Sequence, residues 1–325
     1  MEDVHRLVAG YTEDGSALLD QCRCRFRPFA PGVEVCDIWQ AATSPIDLAN
    51  PSYDGANPIL MPLKGQVVAR VVRFLPVSSE LKGEENAVLG GAGGIEFSGS
   101  LHRTKTLDYV VVRRGEIWLV TEAEETCLAE GDAVVLDGGF HSWENRTNSP
   151  AEILSVMIGA SGSRSLSPGA LDGGTPGNGA RCVVLGSDGQ GQAAILVDAD
   201  LAARIDVDDF TSVLPYWNES SSPPSDNAPP TQGDLVAPGD VGSSFWRVEV
   251  QPGNNPTMRQ HPSLDFITVV EGELSYLTDN GEVALNQGDV LVQSGNSHRW
   301  RNAGSVGAAI VVVHVGAWIL DNEGV

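Results

Sequence analysis

His102-Arg-Thr-Lys-Thr-Leu-Asp108-Tyr109 opens a stretch that continues through Gly115-Glu116 and Gly131-Asp132 to Gly138-Gly-Phe-His141-Ser-Trp143-Glu-Asn145. The same phrase returns as Arg259-Gln-His261-Pro-Ser-Leu-Asp265-Phe266, Gly272-Glu273, Gly288-Asp289 and Gly295-Asn-Ser-His298-Arg-Trp300-Arg-Asn302. The intervals from Asp to Gly-Glu, to Gly-Asp and to His-x-Trp-x-Asn are identical in the two copies. Matched intervals across two copies mean two domains of one fold. The copies differ at their entry. The first has His102 six residues before its Asp, whereas the second has Arg259 there and His261 four residues before.

Working outward, short β-rich runs recur every ten to fifteen residues. They include Tyr109–Val112, Ile117–Val120, Ala133–Leu136 and Ile153–Ile158, and their second-half counterparts Phe266–Val270, Leu274–Leu277, Val290–Val292 and Ala308–Val315. Each run is bounded by Gly, Asp, Asn or Pro, the mark of an antiparallel sandwich or barrel. Asp279-Asn280-Gly281 reads as a hairpin turn. The repeat reaches further back, because Arg6-Leu-Val-Ala-Gly10 resembles Arg181-Cys-Val-Val-Leu-Gly186, and Arg70-Val-Val-Arg resembles Arg247-Val-Glu-Val. The expected fold is all-β, two jelly-roll barrels in tandem. An N-terminal domain is expected over 1–160, a Gly/Ser/Pro-rich linker over 161–180 and a C-terminal domain over 181–325. Two insertions, about Val77 to Phe97 and Ser220 to Pro230, read as lids or tolerated insertions, and tolerated insertion is the preferred reading.

Composition narrows the function classes. The chain has 325 residues and a formal net charge of −23, from 43 acidic against 20 basic residues. Such a surface is a poor partner for nucleic acid or an anionic membrane. Five cysteines at irregular spacing point to free thiols in a reducing compartment. The start, Met-Glu-Asp-Val-His-Arg, has no apolar run of the signal-peptide type, and a cytoplasmic location is expected. The apolar run Ala308 to Leu320 is too short to span a bilayer and reads as a buried strand. Gly90-Gly-Ala-Gly-Gly94 lacks the Lys-Ser/Thr of a phosphate loop, and no Ser, His and Asp are ordered as a triad.

In a small barrel the inward face is the dry place to gather polar groups. His102, Thr104 and Asp108 lie even numbers of positions apart, on what reads as one strand and its entry, and so share a face. His141 joins them from a later strand. Two His and one carboxylate suit Fe, Mn, Zn or Ni with open positions for substrate. His261, Asp265 and His298 make an analogous set in the second half, with Arg259 on the same face. Two readings without metal stand beside these: His141 and Asp108 as an acid–base pair, and satisfied structural groups, Asp265 pairing with Arg259 for example. His5 reads as a surface residue. His314 reads as a strand residue without a partner in the motif.

The two stretches resemble the paired motifs of the cupin superfamily, and the chain as a whole resembles a bicupin. Asp108 and Asp265 take the place of the usual Glu, each followed by six residues and Gly115 or Gly272. Gly131, Gly138, His141 and Asn145, like Gly288, Gly295, His298 and Asn302, resemble the second motif. The departures are Thr104 at the second His, Arg259 at the first, and Leu136 and Gln293 at the Pro. The resemblance implies an enzyme acting on a small organic molecule. Its implied chemistry is metal-assisted oxygenase or decarboxylase/lyase, or a metal-free cyclase, dehydratase or isomerase. A non-catalytic binding protein is the third reading. The expected working barrel is the first, with His102, Thr104, Asp108 and His141 catalytic. The expected metal donors are His102, Asp108 and His141, and in the second barrel His261, Asp265 and His298. Arg259, Tyr109, Trp143 and Trp300 are expected to bind substrate. The cofactor is a divalent transition metal or none. The expected partner is a small molecule, and a homodimer is left open.

Overall fold

The computed structural model of the chain describes residues 3–11, 17–41, 46–47, 59, 61–76, 95–161, 180–200, 204–220, 242–261 and 263–318. Nearly all of both expected insertions and the body of the expected linker lie outside these residues. The described residues form strands and turns with no α-helix, so no helix is long and apolar enough to cross a membrane.

Each half builds a jelly roll from one large and one small sheet. In the first half an eight-stranded sheet runs in the order Ala193–Asp200, Arg181–Ser187, Ala133–Asp137, Thr106–Arg114, Ala151–Gly159, Val67–Phe74, Val33–Ala41, Arg27–Ala30. It faces a five-stranded sheet that contains Leu101–Thr104 and His141–Glu144. In the second half a nine-stranded sheet carries Thr211–Glu219, Ser243–Val250, Ala308–Trp318, Ser263–Glu271 and Val290–Ser294 in that order, followed by Val4–Tyr11 and Ala17–Cys24. Its small sheet has three strands, Gly281–Asn286, Glu273–Thr278 and Arg299–Arg301. The hairpin read at Asp279-Asn280 is present, with Thr278 paired to Gly281.

The sheets do not respect the halves. Val4–Tyr11 pairs in parallel with Val290–Ser294, and Arg181–Ser187 pairs in parallel with Ala133–Asp137. Each half therefore lends its first two long strands to the other half's large sheet. His5, expected at the surface, consequently lies against the second barrel, with Nδ1 2.9 Å from Asp289 Oδ2.

Burial follows the period of two. Leu107, Tyr109 and Val111 join a core shared by both halves, while Val110 and Val112 join the interior of the first barrel. Val311, Val313 and Val315 face the shared core, and Ile310 and Val312 the interior of the second barrel. The two large sheets are thus stacked back to back and buried on both faces. This is why their strands read as continuous apolar runs rather than alternating ones.

The strand Leu101–Thr104 and the strand Thr106–Arg114 are separate and lie on different sheets, with a bend at Lys105. The single strand expected through His102 and Asp108 turns a corner there. The corner leaves His102, Thr104 and Asp108 on the wall of one cavity all the same.

Candidate functional site

The first barrel encloses a cavity of about 290 Å³ between its two sheets. Its polar wall includes His102, Thr104, Asp108, His141, Arg70 and Ser155, with Glu144 and Asn145 beside them. Its apolar wall includes Val35, Val72, Phe74, Val110, Leu136, Ile153 and Met157. Trp143 lines it as well.

His141 enters from its strand as the direct cross-strand partner of His102, and the two rings lie 4.6 Å apart. The chain reaches His141 through Gly138, whose φ of 74° suits glycine; Gly295, at φ 63°, makes the same turn before His298. The Nδ1 of His141 lies 2.9 Å from the carbonyl of Gly139. A carbonyl only accepts, so Nδ1 carries the proton. Burial holds His141 below the usual imidazole range, and its Nε2 is therefore a bare acceptor. Burial, and secondarily His141, pushes His102 down to about 3. Two neutral imidazoles thus stand side by side.

Asp108 is buried, and burial drives its carboxyl up to about 7; the charge of Asp137 adds to the rise, and a hydrogen bond from Thr106 opposes it. Oδ1 of Asp108 has no hydrogen-bond partner. Thr104 Oγ1 and Thr106 Oγ1 are hydrogen-bonded to each other at 2.5 Å. Arg70 brings a buried cation to the wall, tied to Asp37 Oδ1 at 3.0 Å and to the carbonyl of Ile59 at 2.6 Å.

The second barrel holds a smaller cavity of about 150 Å³, lined by Arg259, His261, Asp265, His298, Trp300 and His314 among others. His298 repeats the arrangement of His141, its Nδ1 3.1 Å from the carbonyl of Asn296. Asp265 does not repeat Asp108. Its Oδ1 accepts from His314 Nδ1 at 2.8 Å, and its Oδ2 accepts from Gln293 Nε2 at 3.0 Å. Burial would raise Asp265, but His314, Ser263 and His298 outweigh it and hold the carboxyl below the usual range.

Two expectations are corrected here. His314 has a partner in the motif, namely Asp265. Asp265 pairs with His314 and Gln293 and not with Arg259, because Arg259 sits at an isolated backbone bridge to His298, with its side chain exposed. Tyr109 is also corrected. It points to the opposite face of its strand from Asp108, into the shared core, where its hydroxyl meets Ser243 Oγ at 2.8 Å. It lines neither cavity.

A metal requires converging donors. His102, Asp108 and His141 share the first cavity, and His261, Asp265 and His298 the second. Among the described residues, however, no three His, Cys, Asp or Glu side chains gather into a group able to hold a metal ion. In the second barrel both oxygens of Asp265 are already engaged. The side chains as placed do not fit a three-donor centre.

Residues 246–314 match the family described as a cupin domain, a span that holds Asp265, His298 and His314. Over these residues the chain is similar to a cupin domain. The chain is 32% identical over 108 residues to phomopsin biosynthesis cluster protein D of Diaporthe leptostromiformis, covering 33% of this chain and 51% of the relative. It is 37% identical over 62 residues to a cupin-domain-containing oxidoreductase of Hypocrea virens, covering 19% of this chain and 32% of the relative. The chain spans about half the length of the first of these relatives, or less. A solved structure, the putative glyoxylate induced protein of Pseudomonas aeruginosa, superposes on the chain with a TM-score of 0.49 at 11% identity, over 93% of this chain and 87% of that one.

Sequence reasoning missed Thr106, Gln293 and His314. A signal for His314 was present in the repeat itself. It follows Asp265 by the same interval at which Met157 follows Asp108, so the repeat sets a His in one barrel against a Met in the other.

Proposed function

We propose that the first barrel is the active site of an enzyme that moves a proton on a small organic molecule, with Asp108 as general acid–base. The observation that carries this is Asp108 itself, a buried carboxyl raised to about 7 with one oxygen unpartnered, on the wall of a largely apolar cavity. A carboxyl in that range both takes and returns protons near neutral pH. His102 and His141 remain neutral, and the bare Nε2 of His141 accepts a hydrogen bond from a substrate hydroxyl. Thr104 and Thr106 steady the carboxylate form of Asp108. The apolar wall holds the substrate skeleton and excludes water.

Dehydration, isomerisation and cyclisation all begin with such a transfer. This chemistry stands ahead of metal-assisted oxygenation or decarboxylation because the donors required for the latter do not gather into a group of three. Similarity to a biosynthesis cluster protein supports a small-molecule substrate.

The test is exchange of solvent deuterium into a panel of small carbonyl compounds by the purified protein, with metal content measured alongside. Expected is deuterium at the carbon next to the carbonyl, with a rate that changes through pH about 7 and falls about 100-fold or more in Asp108→Asn. Exchange that survives unchanged in Asp108→Asn removes Asp108 from the role. Exchange that tracks bound metal returns the site to metal chemistry.

A further inference from the structure

The second cavity holds a polar group that the chain itself leaves unmet. His314 follows Ile310 and Val312 on the strand face that looks into the second barrel, and all three line the cavity of about 150 Å³. The imidazole is 9% exposed and lies edge-on to the Trp246 ring, with 4.6 Å between centroids. Its Nδ1 donates to Asp265 Oδ1 at 2.8 Å. A neutral ring with its proton on Nδ1 presents a lone pair at Nε2. That Nε2 is buried and has no hydrogen-bond partner. We infer that the second barrel is a binding site for a single-ring phenol, whose hydroxyl donates to His314 Nε2 while its ring lies against the apolar wall.

The pairing with Asp265 does not by itself account for an imidazole here. Gln293 Nε2 already donates to Asp265 Oδ2 at 3.0 Å. A hydroxyl in place of His314 would serve Oδ1 without carrying a second ring nitrogen into the barrel. A buried acceptor left unmet destabilises the fold, and a guest that donates to it removes that cost. The neighbouring indole does not meet it, because Trp246 Nε1 is turned to Asn218 Oδ1, 3.5 Å away.

The wall sets the rest of the guest. Val248, Ile267, Ile310 and Val312 supply aliphatic surface, and Trp246 and Trp300 supply two indoles. An apolar protein cavity of about 150 Å³ takes a benzene ring, so this one holds a single ring and no fused system. A flat ring also packs well on the face or edge of an indole. A buried acceptor beside such a wall asks for a donor on an apolar body, which a phenol is. His298, whose Nδ1 donates to the carbonyl of Asn296 at 3.1 Å, is a further acceptor on the wall and brings no competing donor. Asp208 and Arg259, both exposed, mark the side on which the cavity meets solvent. The site stands apart from the first cavity and does not depend on the proton transfer at Asp108.

The test is calorimetric titration of the full chain with phenol, benzene and benzoate at pH about 8, where a phenol keeps its proton. Expected is a component of phenol binding that Val312→Phe, a larger ring on the cavity wall, removes. Benzene should bind that site about tenfold or more weaker, because it leaves Nε2 unmet. In Asp265→Leu with His314→Leu, which removes the charge together with its partner, phenol and benzene should bind alike. Should the double variant not fold, the comparison in the parent chain and Val312→Phe still decide. No phenol binding, equal affinity for phenol and benzene in the parent chain, or a phenol preference that survives the double variant overturns the inference. So does phenol binding that Val312→Phe leaves intact, which puts the guest elsewhere. Tighter binding of benzoate than of phenol would mean that Nε2 carries a proton and takes an anion, and overturns it as well.

Discussion

Asp265 stands directly opposite His314 on the adjacent strand, with Oδ1 2.8 Å from Nδ1. The carboxyl is held below its usual range and is 2% exposed. Removing the imidazole would strand a buried negative charge, a change that costs about 3–5 kcal/mol. His314→Leu is expected to lower the unfolding free energy by that order in urea titrations at neutral pH. The double variant Asp265→Leu with His314→Leu should recover a large part of the loss, since an apolar pair of similar volume removes the charge as well as its partner. A double variant no more stable than His314→Leu would show that the hydrogen bond to Asp265 is not what the single change breaks.

The matched carboxyls should carry opposite pH dependence. Asp108 has a folded pKa of about 7, against about 3.9 unfolded. Between these values the unfolded chain releases its proton first. Asp108 therefore costs stability as pH rises from about 4 to about 7, up to about 4 kcal/mol. Asp265 has a folded pKa below the usual range. It contributes stability that is present above about 4 and is lost as pH falls through its lower folded value. Asp108→Asn is expected to be more stable than the parent chain at pH 8, with the gap closing toward pH 5. Asp265→Asn is expected to be less stable at pH 8, with the gap closing only in acid. Thermal unfolding across that range reads both signs, and the same sign for both variants would contradict the contrast drawn between the barrels.

Two cross-strand neighbours explain that contrast. Asp108 faces Leu136 on one side and Met157 on the other, where Asp265 faces Gln293 and His314 at the same register. Neither apolar neighbour offers Asp108 a donor. Leu136→Gln with Met157→His is expected to bring the Asp108 carboxyl below 7, toward the usual carboxylate range, by supplying the two donors that Asp265 has. Infrared titration of the protonated carboxyl band, with Asp108→Asn to assign it, measures the shift. A band that still titrates near 7 would mean that desolvation alone sets the value whatever the neighbours.

The barrels are legible in the sequence because glycine and polar punctuation repeat at fixed intervals, and strands buried on both faces read as continuous apolar runs. Tyr109 is placed wrongly by the same logic. It lies one residue from Asp108 and so on the other face, but which face of a doubly buried strand looks into the cavity is not written in an apolar run. His314 escapes because its role depends on pairing with Asp265 across 49 residues, and motif spacing stops at Asn302. The strand exchange escapes for a related reason. Arg6–Gly10 and Arg181–Gly186 are visibly related, yet strand pairing is a long-range choice to which local pattern is blind.

That exchange leads to a prediction about the whole molecule. Val4–Tyr11 and Ala17–Cys24 complete the second large sheet, while Arg181–Ser187 and Ala193–Asp200 complete the first. The core between the sheets draws Tyr109, Val135 and Val156 from one half and Tyr216, Phe245 and Phe266 from the other. Arg113 reinforces the junction, donating from Nε to the carbonyl of Gly288 at 2.5 Å while also pairing with the buried Glu152. Unfolding one barrel would strip edge strands and a buried apolar face from the other. The two halves are therefore expected to unfold in one transition, with calorimetric and van't Hoff enthalpies in agreement. Phe245→Ala, in the shared core, should lower the single midpoint through a loss of about 3–5 kcal/mol without splitting it. Two resolved transitions, or a stable fold for residues 181–325 expressed alone, would show that the exchanged strands and the shared core do not couple the barrels.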